Sequence, residues 1–116
     1  MSWLDSPLLE RYLDVSAMRQ TLVATNLANV DTPGYHTRDI DFRSELALAA
    51  SGVDTGFTTP FVLPVQGLTS RADGNNVSVD RESLLLAEVQ LKYKAATAIL
   101  RSNYSGLQMA IKEGAV

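Results

Sequence analysis

Asn26-Leu27-Ala28-Asn29-Val30-Asp31-Thr32-Pro33-Gly34-Tyr35 decides how this chain divides. Thr32 precedes a proline, which pushes its backbone out of the helical region. Pro33-Gly34 then suits a type II turn, with glycine supplying the positive φ. A helix running into this stretch should end near Val30. Asn26 and Asn29 are three apart, so they share a face of that helix. Asparagine is a mediocre helix former. Two of them near a helix end point to amides kept for hydrogen bonds, either to the last free carbonyls or to another chain. A capped helix end followed by a turn accounts for Asp31 to Gly34. It accounts less well for Asn26, which lies about a turn before the stop.

Upstream, Asp5 or Ser6 can cap a helix that starts at Pro7, where the missing N–H costs nothing. Leu8, Tyr12, Val15, Met18 and Leu22 recur at steps of three or four and form one face. Leu9, Leu13, Ala17, Ala24 and Ala28 widen it. Downstream lies a second, longer arm. Asp80 is its expected N-cap, with Glu82 favourable in the first turn. Leu86, Val89, Tyr93, Ala96, Leu100, Asn103, Leu107 and Ala110 alternate steps of three and four, an a/d seam sustained over roughly four heptads. Leu85 and Ile99 flank the seam on one side, Tyr104 and Ile111 on the other. At ~1.5 Å per residue the arms would be about 36 and 48 Å long. Two such helices paired antiparallel make a rod, and each retains apolar surface that the other cannot cover. Asn103 sits at a seam position otherwise apolar. It either fixes register or turns towards solvent.

Between the arms the chain changes character. Apolar residues number 13 of 24 over 7–30 and 17 of 32 over 81–112, but 18 of 50 over 31–80. The middle also holds most of the glycines and prolines. Phe42 to Ala50 can form a short helix. Phe57 to Val65 is β-prone, but Pro60 and Pro64 confine it to an edge strand or extended loop. Asp73-Gly74-Asn75-Asn76 is a turn signal, and Val77 and Val79 alternate after it like a short strand. The expected fold is mainly α: two long terminal helices pairing as an antiparallel coiled-coil hairpin, with a short irregular, β-containing centre. The units are an N-terminal helix (1–30), a central segment (31–80) and a C-terminal helix (81–116).

The 116 residues allow one domain, and the net charge of −3 speaks against a nucleic-acid partner. Cysteine is absent, which removes disulfides and thiolate chemistry. No run of ~18 apolar residues offers a membrane span. Met1 to Pro7 has neither a basic nor an apolar region of a Sec-type signal, so no cleaved leader is expected. His36 is the only histidine and has no thiol to partner it, so a surface or packing role is expected. Asp39 and Asp41 should face the same side of an extended segment, in a solvated loop balanced by Arg38 and Arg43. No catalytic, metal or cofactor constellation is expected, and the chain reads as a non-enzyme.

The decapeptide resembles the signature shared by the axial proteins of the bacterial flagellum, the rod, hook and hook-associated proteins. Arg38-Asp39-Ile40-Asp41-Phe42, Gly74 through Glu82, Leu91-Lys92-Tyr93 and Tyr104-Ser105-Gly106-Leu107 are similar to further parts of that family. The short TPGY turn and the lack of a large central domain favour a proximal-rod member. The resemblance implies a structural subunit whose terminal helices form the inner coiled-coil domain of a tubular polymer, transmitting torque and enclosing the export channel. It implies that Asn26, Leu27, Ala28, Asn29, Thr32, Pro33, Gly34 and Tyr35 serve assembly. It implies no cofactor. The implied partners are other rod subunits, FliE, the inner (MS) ring and the export gate, at a periplasmic address reached by type III export. From the residues alone, a soluble helical hairpin that binds a single partner is the alternative.

Overall fold

The computed structural model describes residues 6–52 and 60–114. Its elements in chain order are α1 (Ser6–Ala28), β1 (Arg38–Ile40), α2 (Phe42–Ala50), β2 (Val62–Pro64) and α3 (Val79–Lys112). The molecule is mainly helical and elongated, 67 × 27 × 18 Å. Its radius of gyration is 18.2 Å, where a compact globule of this length would have ~13 Å. No helix of the described residues is long and apolar enough to cross a membrane.

α1 packs along α3. Asn26 meets Glu82, and Gln20 shares a surface recess with Gln90, Tyr93 and Lys94. Following α1 backwards therefore follows α3 forwards. Leu9, Val15, Val23, Val89 and Ala96 are buried. The buried face of α1 runs Leu9–Ser16–Val23–Asn26, turned slightly from the expected one. Ala17, Ala24 and Ala28, expected to widen the apolar surface, are exposed. Tertiary packing favours the larger Val23 and the hydrogen-bonding Asn26 inside, and small alanines lose little by facing water.

Several boundaries differ from expectation. α1 stops at Ala28, two residues early, because Asn29, Val30 and Thr32 donate to carbonyls three residues back and tighten the last turn. The N-cap of α3 is Ser78, not Asp80: its hydroxyl accepts from the Arg81 N–H at 3.2 Å. Val77 and Val79 form no strand. Val77 is buried in the core and Val79 opens α3. The strand pairing instead joins β1 to β2, antiparallel, with Asp39 opposite Leu63. Pro64 closes β2 opposite Arg38, an end position that proline tolerates. Of the expected strand, Phe57 to Thr59 lie outside the described residues, as does the candidate cap Asp5.

α2 matches its expected span and lies on the first half of α1. Arg11 and Glu45 pair at 3.0 Å, and Tyr12 meets the Phe42 ring edge-on, centroids 5.2 Å apart. Glu45 also accepts from the Phe61 N–H, drawing the β2 strap against α2. Asp41 caps α2: its carboxylate accepts from the Ser44 hydroxyl at 2.7 Å and the Ser44 N–H at 3.3 Å. These bonds hold the Asp41 carboxyl below its usual pKa. A lowered carboxyl stabilises the folded state at neutral pH, and that contribution disappears as pH falls through the lowered value. The protection of the Ser44 amide, its exchange rate relative to that of an unstructured chain at the same pH, should therefore fall on acidification below the usual carboxylate range, and Asp41→Ala should lower it already at pH 7. Unchanged protection in the variant would remove the cap's role.

Candidate assembly site

The decapeptide is tied together by polar side chains drawn from four segments. Thr32 to Tyr35 form the expected turn: the Tyr35 N–H donates to the Thr32 carbonyl at 3.2 Å, and Gly34 has φ +73°. A loop from Arg71 to Val77 lies over this turn. The Gly34 N–H donates to the Asp73 carbonyl at 2.8 Å. Gly74 stands against it so closely that a Cβ there would lie 3.4 Å from the Gly34 Cα. Asn75 is fully buried, and its amide donates to the carbonyls of Asn29 and Thr32, both at 2.8 Å. Both carbonyls lie in the turn just past α1 and also accept backbone N–H groups, from Thr32 and Tyr35 respectively. Arg71 donates to the Val30 and Val77 carbonyls. Asn76 accepts from the Thr37 N–H at 2.6 Å, and its amide lies 3.4 Å from the ring of the exposed His36.

Asn26 sits at the centre and is fully buried. Its amide nitrogen donates to the Arg38 carbonyl at 2.8 Å and to a Glu82 carboxylate oxygen at 3.2 Å. Its oxygen accepts from the Tyr35 hydroxyl at 2.8 Å and the Arg38 N–H at 3.3 Å. Its two donor and two acceptor positions are thus filled within the chain, and none of the bonds is to a helix-end carbonyl. Asn29 follows α1 directly, its N–H still donating to the Thr25 carbonyl at 3.1 Å. Its side-chain amide bonds back to the same carbonyl at 2.8 Å.

Glu82 is fully buried and also accepts from Arg81. Arg81 reaches Asp39 at 3.4 Å, and Arg19 grips the same carboxylate with two bonds of 3.0 and 3.1 Å. This grip raises the Arg19 pKa above its ordinary value. Asp39 therefore bridges α1 and α3 and is no loop charge balanced by Arg38 and Arg43, and Asp41 serves α2 instead. Among the described residues, no buried side-chain polar atom lacks a partner.

No family model matches the chain. It is 35% identical to the flagellar basal body rod protein FlgB of Salmonella typhimurium over 122 aligned positions, covering 88% of each protein. The FlgB of Escherichia coli is 34% identical over the same share. That of Cereibacter sphaeroides is 38% identical over 107 positions, 81% of this chain and 83% of the relative. The chain belongs to the FlgB family of flagellar basal body rod proteins.

In this FlgB-family chain the expected site residues divide in two. Asn26, Asn29, Thr32 and Tyr35 meet in the junction; Leu27 is half-buried; Ala28, Pro33 and Gly34 lie at its surface. Of the seam, Val89 and Ala96 are buried, Leu86 and Leu100 half-buried, and Tyr93 is 37% exposed. Asn103, Leu107 and Ala110 face solvent, because α1 is only 23 residues long against 34 for α3. Residues 101–114 are exposed throughout and carry Tyr104, Leu107, Met109 and Ile111. Sequence reasoning missed Arg19, Arg71, Asn75, Asn76, Arg81 and Glu82 as parts of the junction. One signal was available: Arg19 and Asn26 are seven apart, hence on one helix face.

Proposed function

We propose that this chain is a structural subunit of the proximal rod of the flagellar basal body, acting without catalysis. The observation that carries the reading is family membership over 88% of the chain. The exposed apolar end of α3 supports it, since contiguous apolar surface of this kind marks a contact with other molecules. In this reading, the N-terminal unit (1–30) and the C-terminal unit (81–116) pair through α1 and α3 as an antiparallel coiled-coil hairpin, and 31–80 form the cap at one end. Neighbouring subunits pack against the overhanging seam, giving a stiff tube that transmits torque and encloses an export channel. The partners are other rod subunits, FliE, the MS ring and the export gate. The subunit reaches the periplasmic rod by type III export.

Deleting the gene should abolish swimming and leave basal bodies without a rod, and the wild-type chain should restore both. A deletion strain that swims normally overturns the reading.

A further inference from the structure

We infer that the Asn26–Glu82 contact fixes the lengthwise register of α3 on α1, and that Asn103 bars the alternative. Apart from this contact and Ser16, the buried positions along the two helices are apolar: Leu9, Val15, Val23, Val89 and Ala96. Val89 and Ala96 are one heptad apart, and such aliphatic seams tolerate a shift by a heptad. A buried polar residue at one seam position is the device that specifies register.

The shift can be followed residue by residue. If α3 slid by seven residues towards the turn, Val89 would stand where Glu82 now meets Asn26. The Asn26 amide would keep the Arg38 carbonyl and lose the carboxylate, and Arg81 would leave Asp39. The slide would also carry the overhang onto α1, so that Leu107 took the half-buried position of Leu100. Burying an apolar side chain is favourable by ~25 cal/mol per Å², so the apolar seam on its own favours retraction. Two polar groups oppose it. The junction would be broken at one end, and at the other Asn103 would enter the buried position of Ala96. An amide without partners there is costly. The polar residues therefore keep the end of α3 projecting. Its importance for assembly rests on the rod reading, but the register itself does not.

The chain has no cysteine, so spin labels at Gln20→Cys and Lys112→Cys report the register of the full-length protein in solution. The wild type should give one distance. The variant N26L/E82L/N103A should add a second population shorter by about 10 Å, one heptad of helix, with a cooperative thermal transition retained. N103A alone should keep the single native distance. A triple variant that folds cooperatively with only the native distance overturns the inference, since a purely stabilising junction would move the melting temperature and not the distance. If the triple variant does not fold, E82M/N103A, which removes the acceptor facing Asn26, decides in the same way: a second, shorter distance supports the lock and a single native one overturns it. Neither result depends on rod assembly, so failure here is separable from failure of the rod reading.

Discussion

Asn26→Ala is expected to destabilise the folded chain by about 3 kcal/mol, measured as a drop in urea midpoint at constant m-value. The substitution removes one amide but strands four groups. The Arg38 N–H and carbonyl, the Tyr35 hydroxyl and the Glu82 carboxylate all lose a partner. Each such loss costs ~1–3 kcal/mol where water cannot enter. Glu82 matters most, because it is a fully buried charge left with Arg81. Removing one member of a buried polar set costs far more than replacing the whole set with apolar groups. That asymmetry makes the alanine variant unstable, where an apolar double replacement at 26 and 82 need not be. Asn29→Ala, at a half-buried site where the amide bonds the Thr25 carbonyl and accepts from the exposed Thr32 hydroxyl, should cost well under half as much. Loss of motility should track loss of the folded subunit. A change below 1 kcal/mol for Asn26→Ala would show that water replaces the amide, and the junction would lose its structural weight.

The two arms were legible in the sequence because helix periodicity, prolines and glycines report local geometry. Pro33-Gly34 forms its turn, Phe42–Ala50 is a helix, and α3 runs unbroken from Val79 to Lys112. The junction was hidden because its members come from positions 19, 26, 35, 39, 75 and 82, joined only once the chain is folded. Glu82 illustrates the difficulty. An acidic residue in a first helical turn already has a sufficient local explanation in the helix dipole, so nothing marks it as buried. Asp39 likewise has two arginines nearby in sequence and pairs with two distant ones. The small sheet was misplaced for a related reason. Val77 and Val79 alternate as a strand does, yet no neighbouring strand is in reach, and Ser78 between them is the better helix cap. The overhang is different again. The periodicity extends along the whole of α3, but only the comparison of α1 with α3 shows that its last third runs past the described end of α1.

Leu107→Asp should separate folding from assembly. Leu107 is 59% exposed and lies beyond the part of α3 that α1 accompanies. Surface substitutions of this kind change stability by no more than about 0.5 kcal/mol, so the thermal transition of the isolated variant should match the wild type. In the rod reading the same position is covered by a neighbouring subunit. A carboxylate buried there without a partner costs several kcal/mol at each contact, roughly a hundredfold or more in the association constant. Because every copy carries the substitution, the loss recurs at each added subunit. Swimming should fall to the level of the deletion strain, while Leu107→Met, which preserves volume and apolarity, should swim normally. Normal swimming by Leu107→Asp would remove the overhang from the assembly surface. A large fall in its melting temperature would show that Leu107 already belongs to the hairpin's own core. An unchanged fold with lost motility is the one combination that a surface covered only in the assembled rod produces.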